Sequence, residues 1–565
     1  MLNQLLSPVI APNATVDPGG GLEIAAHPAA VLESSSQSKT DPLAISVFLL
    51  TTAFTLFANL RLRSLVSDDA YIHARIAENL TATGHPFFNP GEAVMATSSP
   101  VWTLFLAAQR LLFGEFNVVP FWNAVFTGCA ALAAYFLARA AGSSPRMTRS
   151  TQGDALLPAL LAIVALLDSS YMQMETPLAM ALLLWSAVAF TRDSRWTLPL
   201  LMIAVFTRPE LALLFLAVAL GGIAASRFKR PGLYAAAAVG AILLLWLFSQ
   251  FGTVIPNSVR AKKIGYTISA WQSFMGLFPA WSSGLPSEGT PVAMLGVSVA
   301  LVLLMQVLTL VKSPRPWNQT QVAAAALSVW GYSLALLYVW NKTLIFSWYQ
   351  PMVTAPILVG MATGLRFERT VIRKLAPACG LALMLYVFLP PLLPTVRAAA
   401  LQQPELSPFY SQAARVHEYL AVGGAVARVC PQARLMTSEI GALGYSFKGY
   451  VLDGFGIASP DALKYHPMHV PVERSHGSLG AIPIRFVAEK RPDLIVSFDV
   501  FAQSLLRSRQ VSAQYTDLRF PPLLPEDAAR PGVHRWISIV NLHVLVRNDG
   551  GCSASEIARE ISKRF

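Results

Sequence analysis

The sequence predicts a polytopic α-helical membrane protein that ends in an α/β domain outside the cytoplasm. Three observations predict it. Of 565 residues, 54% are hydrophobic and only 13% charged, with a mean hydropathy of +0.49. Soluble domains carry about 25% charged residues, so a water-exposed surface of this size could not be covered. Apolar runs long enough for a bilayer recur through residues 43–394 and then stop. From 395 onward charges and histidines return, and short apolar runs alternate with helical patterns.

A segment needs roughly 17–25 apolar residues to cross about 30 Å of hydrocarbon. Candidates lie at 43–60, 118–140, 154–168, 176–191, 196–207, 208–225, 232–252, 291–311, 321–341, 350–366 and 375–394, about eleven in all. Thr207-Arg208-Pro209-Glu210 interrupts one pair, which reads as two half-depth helices meeting at a polar turn. Segment 99–114 is short and carries Gln109 and Arg110. Left out of the spans, it puts four basic loops on one side: Arg146/Arg149, Arg227/Lys229/Arg230, Lys312/Arg315 and Arg369/Arg373/Lys374. That side is cytoplasmic by the positive-inside rule. Segment 99–114 is therefore expected to be an interfacial or re-entrant helix in a first outer loop, 61–117. The net charge of +12 is explained by such loops, without nucleic acid as a partner. Residues 1–42 are polar, lack the pattern of a signal peptide and are expected to form a partly disordered cytoplasmic tail.

In the outer domain, 395–565, strands are expected at 434–438, 450–453, 494–498 and 536–546, and helices at 410–421 and 483–490. Cys430 and Cys552 both fall there, and an oxidising compartment favours a bridge between them. His466, His469 and His476 are close in sequence, but the intervening prolines suggest a loop rather than a metal site.

Candidate chemistry gathers on the outer face. Arg61 and Arg63, Arg208, and the cluster Arg260, Lys262 and Lys263 all violate the charge rule. Such cations suit a lipid phosphate, or else they snorkel to headgroups. Asp68 and Asp69 follow the first span and open a helix whose apolar positions are Ile72, Ile76 and Leu80, with Asp69, His73 and Glu78 among its polar ones. That pattern suits a helix lying in the interface. Ser67 is placed to cap it, and acids in its first turn complement the helix dipole. Asp168 and Glu175 mark a second acidic point. Phe346-Ser347-Trp348-Tyr349-Gln350-Pro351 is an aromatic cluster that an interfacial belt would also explain. No nucleotide-binding or hydrolase motif is present, so a glycosyl donor would have to be carried by a lipid.

Taken in order, several segments resemble the GT-C glycosyltransferases, in the AftB/TfpW arabinofuranosyltransferase branch. They are Ser67-Asp68-Asp69-Ala70-Tyr71-Ile72, Phe88-Asn89-Pro90-Gly91-Glu92 with Ser98-Ser99-Pro100-Val101-Trp102, Met174-Glu175-Thr176-Pro177-Leu178 and Thr207-Arg208-Pro209-Glu210. Pro256-Asn257-Ser258 with Lys262, Trp348-Tyr349-Gln350-Pro351, the run from Glu439 to Tyr445, and Val451-Leu452-Asp453-Gly454 complete the set, across residues 60–500. Glu439 stands where the family has Asp, and Ser258 where it has Thr. The resemblance implies a bacterial plasma-membrane enzyme that moves a sugar from a polyprenyl-phosphate donor to a glycan or protein hydroxyl in the periplasm. It implies an aspartate of the first outer loop as acid/base. Position favours Asp68 as the base with Asp69 as its partner.

Lys262, Arg208, Arg61, Asn257 and Arg260 are then expected at the donor phosphate, and His73, Glu175, Trp348, Tyr349, Glu439 and Tyr445 around the substrates. Paired carboxylates at Asp68 and Asp69 would also suit Mg2+, Mn2+ or Ca2+. Rival readings are a hexosyltransferase of the same superfamily and a transporter or flippase of lipid-linked sugars. A transporter calls for polar groups at mid-membrane and internal repeats, whereas the charges here gather at one face.

The charge parity makes a direct prediction. Reporter fusions at Ser144 and Gly550 will read cytoplasmic and periplasmic respectively, and a periplasmic signal at Ser144 would overturn the topology.

Overall fold

The structure, a computed structural model, describes residues 41–142, 155–224, 230–277, 318–365, 392–407, 409–468, 481–521 and 541–563. The tail 1–40, the span 291–311, most of 375–394, the cytoplasmic-loop cations other than Arg230, and His469 and His476 lie outside those residues.

The first two thirds are helical: α1 Pro42–Arg61, α2 Asp68–Thr83, α3 Pro100–Phe113, α4 Val119–Gly142, α5 Leu156–Tyr171, α6 Thr176–Thr191, α7 Thr197–Thr207, α8 Ala212–Ala224, α9 Arg230–Phe251, α10 Asn257–Gly265, α11 Ala270–Gly276, α12 Gln319–Trp340 and α13 Gln350–Leu365. Four of these, α1, α4, α9 and α12, are long and apolar enough to cross a membrane. Each candidate span within the described residues is a helix. Helix α3 has 14 residues, about 21 Å at 1.5 Å per residue, which is short of a bilayer core. Its last turn exposes Leu111, Leu112 and Phe113. Between α7 and α8 the chain breaks as expected: Arg208 is extended and a single 3-10 turn, Pro209–Leu211, follows.

The helical core draws on α4–α7, α12 and α13 and is rich in alanine, with Ala130, Ala133, Ala134, Ala162 and Ala179 fully covered. Small residues let apolar helices approach until backbones touch. On α12 and α13 this is reciprocal. A Cβ on Gly331 would collide with the Val353 carbonyl, and one on Gly360 with the Ala324 carbonyl.

Helix α14, Leu392–Leu401, leads into the α/β domain. There α15 Tyr410–Val429, α16 Gly441–Phe447, α17 Ile484–Lys490, α18 Asp499–Leu506, α19 Arg509–Gln514 and α20 Ala554–Ser562 surround five strands. These are β1 Leu435–Thr437, β2 Val451–Asp453, β3 Leu494–Phe498, β4 Tyr515–Phe520 and β5 Leu542–Arg547. The order is β2-β1-β3-β5-β4, parallel for the first three and antiparallel beyond. β1, β2 and β3 are buried along their whole length, as strands covered on both faces must be. β4 is the strand not foreseen. It is an edge strand with Asp517 and Arg519 exposed, and its mixed composition hides it. Cys430 and Cys552 form a disulfide that ties the end of α15 to the approach of α20.

Helix α2 departs from expectation. Ile72 and Ile76 do not face a headgroup layer. They sit in the core of the α/β domain with Val416, Tyr419, Leu443 and Phe447. Leu80 packs beside Trp102 on α3. Protein covers this apolar stripe more closely than lipid would, and Arg75 on the same helix shows why. The residue is 2% exposed. It donates to the carbonyls of Phe88, Gly444 and Gly449 and to Asn89 Oδ1, and stacks over the Phe88 ring. Two of those carbonyls belong to the α/β domain, so Arg75 clasps the two halves of the molecule.

Arg75→Ala strands several buried carbonyls at once. It should cost about 3–5 kcal/mol, in the range for breaking a buried charged network. Limited proteolysis should then release the α/β domain under conditions where the wild-type chain resists. Equal resistance would mean that the clasp contributes little.

Candidate active site

Asp68 is the first residue of α2, capped by Ser67 as expected. Its carboxylate is 8% exposed at residue level and points into the α/β domain. One oxygen accepts from the Gly441 N–H at 3.0 Å, the other from the Ala442 N–H at 2.8 Å. The contact requires glycine at 441, since a Cβ there would run into the Asp68 backbone carbonyl. Burial pushes the Asp68 carboxyl up to about 6. The Ala442 N–H opposes that rise and Asp69 adds to it.

Asp69, one residue on, turns the other way. Its carboxylate lies 3.2 Å from Lys262 Nζ, and the side chains are 24% and 21% exposed. Lys262 comes from α10, whose buried face carries Ser258, Ala261 and Gly265. The ammonium also donates to Tyr349 Oη at 3.1 Å and lies over the Phe346 and Tyr349 rings. Burial alone would lower the Lys262 pKa, but Asp69 and Tyr349 raise it, so the lysine stays charged. Burial raises the phenol of Tyr266; Lys262 opposes that rise, and Asp69, Tyr349 and Glu439 add to it.

Behind this pair is a second charged layer. Arg208 Nε is 3.1 Å from Glu175 Oε1, both side chains being 2% exposed. The guanidinium also reaches Glu210 at 3.6 Å, Thr176 Oγ1 at 3.0 Å and the Trp348 carbonyl at 2.9 Å, and covers the Tyr349 ring. Tyr338 donates to Glu210 at 2.9 Å. His73 approaches Glu175 at 3.9 Å and shares its Nδ1 with Thr97 at 3.1 Å. Burial holds its imidazole below the ordinary range, although Glu175 and Asp69 pull the other way. Arg208, expected at the donor phosphate, is held between the carboxylates of Glu175 and Glu210, although its Nε makes no hydrogen bond. A buried guanidinium needs such partners whether or not a ligand is present.

Of the other expected site residues, Asn257, Arg260, Arg61 and Tyr445 lie apart from the Asp69–Lys262 pair, whereas Trp348 and Glu439 border it. The Asn257 amide donates to the carbonyls of Gly456 and Ile457 at 2.8 and 2.7 Å, tying α10 to the α/β domain rather than facing a phosphate. Arg260 is on the exposed face of α10. Arg61 ends α1 over the Phe57 ring. Tyr445 is tilted against the Tyr71 ring and edge-on to Phe116, beside Lys448, on another flank of α2. Trp348 is buried and stacked on Phe346. Glu439 is paired with Arg415 at 2.8 Å. Burial raises its carboxyl to about 7, against the Arg415 charge and helped by Asp68 and Asp69. Arg415, Tyr266 and Tyr338 were not foreseen. They carry no local motif, and only the docking of the two domains brings them here. A divalent cation does not fit. Asp68 and Asp69 diverge, one onto backbone N–H groups and one onto an ammonium, and among the described residues no three His, Cys, Asp or Glu side chains form a metal-binding group.

No family model and no curated protein matches the chain. Among solved structures it is similar to ArnT from Cupriavidus metallidurans bound to undecaprenyl phosphate, with a TM-score of 0.49 and 10% identity over 90% of this chain and 99% of that one. For ArnT of the same source in the apo state the values are 0.45 and 11%, over 88% and 97%. Likeness of that degree falls short of establishing a common fold.

The buried carboxyls set a pH dependence. Asp68 and Asp453 rise from 3.8 to about 6, and Glu439 from 4.5 to about 7. Each holds its proton more tightly when folded, so its burial is tolerated best below its unfolded pKa. Stability falls as pH climbs from about 4 to about 7, by an amount on the order of 2 kcal/mol per carboxyl. Thermal unfolding at pH 4.5 and 7.5 tests this. Glu439→Gln should shrink the difference, and a wild-type chain more stable at 7.5 would overturn it.

Proposed function

We propose that this chain is an integral-membrane glycosyltransferase that moves a sugar, D-arabinofuranose by the motif resemblance, from a polyprenyl-phosphate donor to an acceptor hydroxyl on the periplasmic face of a bacterial plasma membrane. The observation that carries the proposal is the Asp69–Lys262 pair. It is a partly open carboxylate beside a charged ammonium, walled by Phe346 and Tyr349, where the apolar helices meet the α/β domain. The chemistry needs those two groups together. Lys262 meets the donor phosphate and stabilises the negative charge that grows on it as the bond to the anomeric carbon breaks. Asp69 accepts the proton of the acceptor hydroxyl as its oxygen bonds to that carbon. The polyprenyl phosphate leaves with the bonding electron pair. When the phosphate engages Lys262, the ammonium holds Asp69 less tightly and the carboxylate is released for the acceptor.

Asp69 replaces Asp68 as the base in this proposal. Both oxygens of Asp68 already accept backbone N–H groups, and Asp68 orients its neighbour by fixing the first turn of α2. Arg208, Glu175 and Glu210 hold Tyr349 and the Trp348 carbonyl in place rather than binding phosphate.

Turnover of a synthetic polyprenyl-phosphate arabinofuranose by the purified chain tests this. Asp69→Asn should slow transfer about 10²–10⁴-fold, the usual cost of losing a general base. Lys262→Ala should lose roughly ten- to a hundredfold at limiting donor, as for a charge-assisted contact worth about 1.5–3 kcal/mol. Asp68→Asn should mainly destabilise the chain, by about 1–3 kcal/mol, because its amide turns an N–H toward another N–H. Near-normal transfer by Asp69→Asn would remove it from the mechanism. A strain lacking the protein should accumulate the donor lipid, and the mass of its sugar decides between pentose and hexose.

A further inference from the structure

Helix α10 has two faces with different surroundings. At about 100° per residue, Ser258, Ala261 and Gly265 fall on one side and are buried, with the Phe455 ring of the α/β domain closing on Gly265. Val259, Arg260 and Lys263 fall on the other side, and all three are exposed. Lys262 projects from the flank between them, toward Asp69. Just before the helix, Val254 and Ile255 are exposed too, Ile255 by 69%. Leu245 and Phe248 on α9 and Trp271 on α11 are exposed as well.

The place of this face in the fold says what covers it. Helix α9 is long and apolar enough to cross a membrane. It ends at Phe251, which packs with Phe87 and Met95. The Asn257 N–H then donates to the Met95 carbonyl at 2.9 Å, and its amide holds the Gly456 and Ile457 carbonyls of the α/β domain. Residues 252–256 therefore run from the end of a spanning helix to the α/β domain, which is the level of a bilayer surface. Charge points the same way. From Gly252 to Gly276 the sequence has three cations, Arg260, Lys262 and Lys263, and no Asp or Glu. Lys262 is paired with Asp69, while among the described residues Arg260 and Lys263 have no carboxylate partner.

We propose that the exposed face of α10, with Val254 and Ile255, docks on the bilayer surface, and that Arg260 and Lys263 select anionic phospholipid headgroups there. Apolar and basic side chains sharing one face suit a helix lying in an anionic lipid surface. Acyl chains cover Val254, Ile255 and Val259, and lipid phosphates neutralise the two long cationic side chains. The face is continuous along the chain with the open apolar side of α9, so the same bilayer covers both. Arg260 then holds a lipid of the leaflet rather than the sugar donor. Because Lys262 is on the same helix, docking also fixes the rotation of α10 and the position of the Lys262 ammonium. The proposal holds independently of the sugar-transfer reading.

Two measurements on the full-length chain test it. In detergent, native mass spectrometry with equimolar phosphatidylglycerol and phosphatidylcholine should show the anionic lipid bound about tenfold more. Each basic group near an anionic surface contributes roughly fivefold, so Arg260→Gln with Lys263→Gln should bring the two lipids close to parity. Both positions are exposed, so the double variant should fold normally. Equal binding of both lipids by the wild-type chain overturns the proposal, as does an unchanged preference in the double variant. A double variant that keeps the preference but loses binding of polyprenyl phosphate makes the face a donor site, which also overturns it. In bilayer nanodiscs, a nitroxide at Val259→Cys should collide more with oxygen than with a water-soluble nickel chelate, the wild-type chain serving as the labelling control for Cys129. The opposite ratio puts α10 in water and ends the docking. Neither measurement needs turnover, so failure here leaves the glycosyltransferase reading standing.

Discussion

The architecture depends on one carboxylate set onto two backbone amides. Asp68 leaves the helical domain at the first turn of α2 and closes on Gly441 and Ala442 at the first turn of α16. Each domain supplies what the other lacks. The start of α16 has N–H groups without intrahelical partners, and Asp68 has a charge that burial would otherwise penalise. Because the chain at 441 has no Cβ, the two backbones come close enough for the bonds to form. Arg75, two turns along α2, makes the complementary contact, donating to carbonyls of the same α/β segment. Between them they fix both the rotation and the depth of α2.

With α2 fixed, the Asp69–Lys262 pair follows. Asp69 projects away from the α/β domain toward Lys262, which α10 presents because Asn257 anchors the start of that helix to the Gly456 and Ile457 carbonyls. The seam between domains is therefore lined with charge in layers: Asp69 and Lys262 outermost, then Arg208 with Glu175 and Glu210, with Arg415 and Glu439 on the far wall. Each cation is matched to a carboxylate, as burial requires. Tyr349 joins two layers, since it accepts from Lys262 and lies under Arg208.

The apolar helices contribute position rather than chemistry. Alanines and glycines let α12 and α13 pack backbone to backbone, and α13 begins where Trp348 and Tyr349 enter the seam. The short α3 braces α2 from the opposite side through Trp102, next to Ala77 and Leu80. Its exposed tip of Leu111, Leu112 and Phe113 suits a helix end at a lipid surface.

The sequence by itself determined the elements whose cause is local. Apolar runs of 16 to 24 residues become helices. The Arg208-Pro209 pair breaks one, because proline restricts the residue before it. Ser67 caps α2, and the short, mostly apolar runs Leu435–Thr437, Val451–Asp453 and Leu494–Phe498 become the buried strands β1, β2 and β3. Cys430 and Cys552 form the expected pair. The sequence also named most of the charged residues at the seam, since uncompensated charge beside apolar helices is conspicuous. Only the tertiary structure decided their partners. Asp68 and Asp69 are adjacent and identical in type, yet neighbouring side chains on a helix diverge by about 100°. One falls on amides 373 and 374 residues away and the other on a lysine 193 residues away. No local signal separates a carboxylate that anchors from one that stays open. Likewise the apolar stripe of α2 is equally suited to lipid or to protein, and the choice was made by a buried arginine whose acceptors lie in another domain.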